Sequence, residues 1–227
     1  MSEITQFDNL HDLDNRVAEE IGKYLDTHFY PKFFSHPNRI EDSEEQLNGK
    51  DIVASSKDLG LTEAIIDEKS ASHYVNKNLP TFAFEISFRR RDNLVVPGWF
   101  VDENKTTDYY LVIWPLANPD RIQKFTFDGK EYPFFTCEDI TRLDYVLVKR
   151  SALRELVEKR GYNNKWLGIT AWKIRNNSAD WLKDFNKKYR PIRGVYFQHS
   201  VGLKESPVNL IVPRKELESI AILKGSC

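Results

Sequence analysis

The chain predicts an α/β fold: a leading helix, a mixed β-sheet with flanking helices, and a C-terminal α/β elaboration. Three observations carry this expectation. Apolar residues recur at three- and four-residue steps near the N-terminus, alternating apolar segments fill the middle, and the last third holds two strand-then-helix units. The 227 residues are 41% hydrophobic, with 14 Phe, 10 Tyr and 5 Trp, enough for a substantial core.

The first element runs from position 8 to about 29, where Leu10, Leu13, Val17, Ile21 and Tyr24 mark the apolar stripe of an amphipathic helix. At 100° per residue Glu20 lies about 60° from Val17, at the edge of that stripe, while Glu19 lies nearly opposite and faces water. Pro31 and "SHPN" end the pattern, and "EEQLNGKDIVAS" places Asn48-Gly49 between two short extended segments, a hairpin signal. Strands follow over 63–71, 79–88 and 108–116, with a short helix inside "SASHYVNKN". "DYVLVKRSALRELVEKRG" is a strand and a helix capped by Ser151 and ended at Gly161. "VNLIVPRKELESIAILKG" repeats that order, with Pro213 near the first helical position. The expected division is a core over 1–118 and an extension over 119–227, packed together as one compact unit.

Only Cys137 and Cys227 are present, which argues against a disulfide framework or a cysteine-built zinc site and for a reducing cytoplasm. No apolar run reaches the roughly 20 residues of a membrane span, and "MSEITQFDNLHDLDNR" lacks the character of a signal peptide. Neither a P-loop, nor a dinucleotide-binding glycine pattern, nor a paired-histidine metal motif occurs, so ATP and NAD dependence find no support. The net charge of −1 hides an asymmetry. Residues 1–70 hold 16 Asp or Glu against 7 Lys or Arg, whereas residues 159–193 hold 10 Lys or Arg against 2 Asp. Such a split predicts an acidic site in one part and an anion-facing surface in another.

The stretch "LTEAIIDEKSASHY" sets three charges in an apolar strand. Alternation sends Ile65, Asp67 and Lys69 to one face, and Ile66 and Glu68 to the other. If the preceding strand pairs with this one, Asp51 converges on Asp67 near the edge of the sheet. Two carboxylates with the Glu68 main-chain carbonyl form an oxygen site for a hard divalent cation, and Lys69 beside it suits a phosphate and an attacking water. The competing reading is a surface ion pair between Asp67 and Lys69 on an edge strand.

The order of helix glutamate, aspartate and then Asp-x-Lys on the next strand resembles the PD-(D/E)XK, or restriction-endonuclease-like, nuclease superfamily. The resemblance covers roughly residues 8–116. It implies a nuclease that hydrolyses phosphodiester bonds with Mg²⁺ or Mn²⁺, Asp51, Asp67 and Lys69 being catalytic and Glu20 joining them. Lys50 stands where the family name has proline, and Asp67 replaces the commoner glutamate. The alternative is a non-catalytic nucleic-acid-binding or assembly protein on the same fold.

Glu85, among the aromatics of "FAFEIS", and Gln46 are possible auxiliary groups. Arg89, Arg90 and Arg91 form a basic cluster suited to phosphates. The segment 159–193 interleaves Lys173, Arg175, Lys187, Lys188 and Arg190 with aromatic residues, a pattern fitted to nucleic acid, DNA in the first place. Its structural counterpart is a set of core aromatics with a wet cationic face. The C-terminal half is expected to position nucleic acid or to form a homodimer.

Overall fold

The leading amphipathic pattern forms helix α1 (Leu10–His28), which starts where the Asn9 side chain accepts hydrogen bonds from the amides of His11 and Asp12. A cap of this kind satisfies amides that the first helical turn leaves unpaired and contributes about 1 kcal/mol. Leu13, Val17, Ile21 and Leu25 are buried along one side, as the helical spacing requires. The computed structural model describes residues 7, 9–90 and 92–227, so the expected start at Asp8 lies outside the described residues.

A single turn, α2 (Tyr30–Phe33), leads into β1 (Ser35–Arg39), α3 (Ser43–Leu47), β2 (Ile52–Ser56) and β3 (Leu61–Ser70). The hairpin expected at Asn48-Gly49 does not form. Residues 43–47 are helical, Gly49 follows them at φ +78°, and the strand that runs antiparallel to β2 on that side is β1. An Asn-Gly pair serves a helix end as well as a hairpin, because both need a left-handed residue. The turn between β2 and β3 lies at 57–60, where Gly60 adopts φ +66° and its amide donates to the Lys57 carbonyl.

After a 3₁₀ turn (Ser72–Tyr74) come β4 (Thr81–Arg89), β5 (Val95–Pro97), β6 (Tyr109–Ala117), and a separate hairpin of β7 (Gln123–Phe127) and β8 (Lys130–Phe134). The remaining elements are β9 (Ile140–Lys149), α4 (Arg150–Lys159), α5 (Asn164–Arg175), α6 (Ala179–Arg193), β10 (Tyr196–His199), β11 (Val208–Pro213), α7 (Arg214–Ser219) and β12 (Ala221–Ser226). Helix α4 begins at Arg150 without a side-chain cap, so Ser151 does not play that part. Pro213 stands immediately before α7.

A six-stranded mixed sheet has the order β1-β2-β3-β6-β9-β12, with β3 and β6 parallel and the other pairs antiparallel. A four-stranded antiparallel sheet has the order β10-β11-β4-β5. Both sheets therefore draw strands from before and after residue 118, and that position divides neither. No helix among the described residues is long and apolar enough to cross a membrane.

Alternation along the six-stranded sheet feeds two cores. Ile66, Leu111 and Ile113 pack with α1 on one face. Tyr110, Val112 and Trp114 pack on the other with Phe82, Phe84 and Leu210 of the second sheet and with Leu153 and Leu167 of α4 and α5. Glu68 turns toward the α1 side and needs partners there. It accepts from the Tyr30 hydroxyl at 2.7 Å and from two Arg39 nitrogens at 3.0 Å each. Burial raises the pKa of its carboxyl even so. Removing one partner of a buried ion pair leaves the other charge uncompensated. Arg39→Ala should therefore lower stability by about 3 kcal/mol in urea unfolding. A loss within the range of surface substitutions would show that Arg39 is not what holds Glu68.

Candidate active site

The pairing of β2 with β3 stops at Ile52–Ile66, one residue short of Asp51. The Asp51 amide donates to the Ile66 carbonyl at 3.1 Å, and Asp51 Oδ2 accepts from the Glu68 amide at 2.7 Å. The side chain thus replaces the strand neighbour that β3 lacks at this point. Asp67 projects to the face opposite α1, is only 2% exposed, and is ion-paired with Lys69. Its carboxyl is near enough to that of Asp51 to raise the Asp51 pKa. Lys69 Nζ lies 5.3 Å from the centre of the Trp99 ring.

The electrostatics follow from this packing. Burial, and then the Asp67 carboxyl beside it, push the Asp51 pKa up to about 6, although Lys69 and the Glu68 amide oppose the shift. Burial disfavours the Lys69 ammonium, but the Asp67 and Asp51 carboxylates outweigh it and hold that pKa above the ordinary lysine value. Lys69 is consequently a fixed cation at neutral pH. Glu85 is raised to about 7, by burial first and then by Glu205, against the Trp99 amide, Lys69 and Arg175.

The sequence-derived residues separate into distinct places. Asp51, Asp67 and Lys69 come together. Glu20 is buried and Glu19 exposed, in agreement with the helical angle, yet Glu20 is not at this site. It lies on the α1 side of the sheet, accepting from the Cys137 amide at 2.9 Å and from Lys23 at 2.6 Å. The Glu68 side chain is likewise on the α1 side, and only its backbone faces Asp51. Gln46 is exposed on α3 and its side chain donates to the Ile40 carbonyl at 2.6 Å, while the Ile40 amide donates to the Asp51 carbonyl at 2.8 Å. Glu85 borders the site through Trp99 and Lys69.

Among the expected phosphate contacts, Arg90 pairs with Asp92, Arg89 donates to the Asn93 carbonyl, and Arg91 lies outside the described residues. Arg175 is tied to the Ser87 hydroxyl and carbonyl, each at 3.1 Å. Lys173, Lys187, Lys188 and Arg190 are exposed on α5 and α6. The aromatics divide, with Trp166 and Trp172 exposed while Trp181 and Phe185 stack and pack on the second core.

Several groups at the site were not singled out by the sequence reading. The Trp99 ring backs Lys69. Tyr110 stands beside Asp67 in the parallel register, wholly buried, and its hydroxyl finds no partner among the described residues. Gly49 brings backbone against the carboxylate. A Cβ there would lie 2.3 Å from Thr107 Oγ1 and 3.3 Å from Asp67 Oδ2. Tyr110 would have been found from its alternation with Leu111 had the parallel pairing been legible.

The donor set suits a hard cation. Ile66 and Glu68 turn their backbone groups to the β2 edge, and the Glu68 carbonyl is the next along that edge after the one bonded by Asp51. Two carboxylates and this carbonyl offer oxygen alone, which matches Mg²⁺ or Mn²⁺ retaining several waters. No group of three or more His, Cys, Asp or Glu side chains suited to a metal occurs among the described residues, so water and main chain would complete the shell. Comparison of the chain with protein-family models, curated proteins and solved structures finds no match.

The Asp51 shift has a consequence for stability. Its folded pKa of about 6 exceeds the ordinary 3.8, so the stability linked to its proton is present below 3.8 and lost as pH rises through 6. Asp51→Asn keeps an acceptor for the Glu68 amide and removes the titration. The melting temperature of the variant minus that of the wild type should grow between about pH 4.5 and about pH 7.5. A difference independent of pH would show that Asp51 is not held protonated by its surroundings.

Proposed function

We propose that the protein is a nuclease, dependent on Mg²⁺ or Mn²⁺, that hydrolyses phosphodiester bonds in DNA on a restriction-endonuclease-like core. The observation that carries this reading is that Asp51, bonded to the Glu68 amide at the end of β2, brings a second acid beside buried Asp67, with Lys69 against Asp67. Two acids packed together in a largely buried place destabilise one another, and an edge-strand ion pair would need only one of them. The order of strands supports it too: a helix packed on a mixed sheet, with Asp67 on β3 and Asp51 immediately before the antiparallel β2.

In this mechanism Asp51, Asp67 and the Glu68 carbonyl would hold the ion. When bound, the ion neutralises phosphate charge and makes a water more acidic. Lys69, a fixed cation, orients the scissile phosphate and the attacking water through its N–H donors and offsets the negative charge that develops. Its raised pKa makes it a poor proton acceptor, so its contribution is electrostatic. Trp99 limits the freedom of the Lys69 side chain. Asp51 must lose its proton before it can serve as a ligand, which ties metal affinity to pH near 6.

Asp67→Asn should abolish Mg²⁺-dependent cleavage and weaken metal binding measured by calorimetry. Lys69→Ala should leave metal binding largely intact and lower turnover by about 10²–10³. Purified wild type and both variants are assayed on DNA and RNA. Cleavage surviving equally in both variants, or no cleavage by the wild type on any substrate, would overturn the proposal, the latter in favour of a binding protein.

A further inference from the structure

A second feature lies at the far edge of the four-stranded sheet. Helix α6 runs along β10, the outermost strand of the four-stranded sheet, and both line an open groove of about 650 Å³. Lys183, Lys187 and Arg190 line it from the helix, spaced by four and three residues and therefore on one face. They span about 10 Å of helix axis. None of them is in an ion pair among the described residues, and the two aspartates of α6, Asp180 and Asp184, do not line the groove. The apolar part of its wall is Leu182, Pro191 and the half-buried ring of Tyr196, with the Arg190 guanidinium 4.2 Å from the centre of that ring, while the Phe197 side chain is buried in the second core.

The chemistry of the groove narrows its occupant. A peptide strand cannot add to β10 here, because Asn186 already bonds both the Phe197 carbonyl, at 2.7 Å, and the Phe197 amide, at 2.9 Å. Unpaired cations beside an aromatic and apolar wall fit an anion that carries flat apolar groups, which describes a nucleotide chain with its bases unpaired. In a duplex the bases are stacked and paired and cannot reach that wall.

The strand register of the second sheet links the groove to the candidate active site. Gln198 at its edge, Asn209 and Glu85 are neighbours across β10, β11 and β4, two strand spacings or about 10 Å from end to end. His199 and Ser87 bracket Val208 in the adjoining row, and Ser87 anchors Arg175. Beyond β4, Ser87 faces Pro97, and Trp99, two residues on, meets Lys69.

We propose that the α6–β10 groove is a binding site for single-stranded nucleic acid, which seats an unpaired segment of the substrate alongside the carboxylate pair. This rests on the nuclease reading for its link to catalysis, but the binding itself does not. The substrate class it implies is a nucleic acid with a single-stranded tail, flap or gap.

The test uses full-length Asp67→Asn protein without metal, so that binding is read apart from cleavage. Fluorescence anisotropy compares an oligothymidylate of about 16 nucleotides with a blunt duplex of equal length. The single strand should bind more tightly. Lys183→Glu with Lys187→Glu should weaken that binding about tenfold or more and flatten the slope of log affinity against log salt by about 1.4, two contacts at about 0.7 each. Tyr196→Ala should weaken the single strand and spare the duplex, a selectivity that mere loss of charge does not produce. Equal affinity for both nucleic acids, or single-strand affinity untouched by these substitutions, overturns the inference. So does groove-dependent binding to vesicles of anionic phospholipid without binding to the oligonucleotide. The two readings fail separately: groove-dependent single-strand binding with no cleavage by the wild type sinks only the nuclease, and cleavage with single-strand binding independent of the groove sinks only this inference.

Discussion

The Asp51 carboxylate bonded to the Glu68 amide is the contact on which the candidate site depends. A strand that outruns its neighbour leaves amides and carbonyls bare, and buried ones need partners. β3 outruns β2 by this margin, and a side chain fills in where a strand would. That substitution fixes the Asp51 carboxyl against β3 and so against Asp67. It also leaves the Glu68 carbonyl on the same edge, beside two acids. A longer β2 would pair those backbone groups and leave no place for an ion.

The three charges in the middle of β3 are compatible with its burial because each meets a different environment. Glu68 goes to the helical side, where Tyr30 and Arg39 satisfy it and Asp26 holds the far end of the guanidinium. Asp67 and Lys69 go to the other side and satisfy each other. The first arrangement is saturated. The second is not, since Asp51 adds a second acid against a single lysine, and burial first and then the Asp67 carboxyl raise its pKa. An excess of buried negative potential is a cost to the fold, and a cation relieves it.

Much of this could be read from the chain, because alternation in a strand is a strict rule. It separated Asp67 and Lys69 from Glu68 and paired Asp51 with them once β2 and β3 were taken as neighbours. The helical angle likewise distinguished buried Glu20 from exposed Glu19. What failed was distance through space: a helix position says which way a side chain turns but not which loop it meets, and Glu20 meets the Cys137 amide. Asn48-Gly49 misled for a similar reason, since a left-handed residue ends a helical turn as readily as it makes a hairpin. Trp99 and Tyr110 were illegible because their places depend on the parallel pairing of β3 with β6 and on a second sheet that no local pattern announces.

That second sheet explains why the two halves of the chain cannot be considered apart. Parallel strands need a long crossover, and a helix commonly supplies it. Here the crossover between β3 and β6 contains β4 and β5 instead, and two strands alone make a poor sheet. β10 and β11, more than a hundred residues later, join their edge and complete four strands. The crossover therefore places Glu85 and Trp99 beside Lys69 and at the same time recruits the basic helices α5 and α6 to that side of the molecule. Asp67 and Lys69, from the first part of the chain, and the basic helices α5 and α6, from its third part, lie on the same side of the six-stranded sheet because a crossover built of strands needs partners.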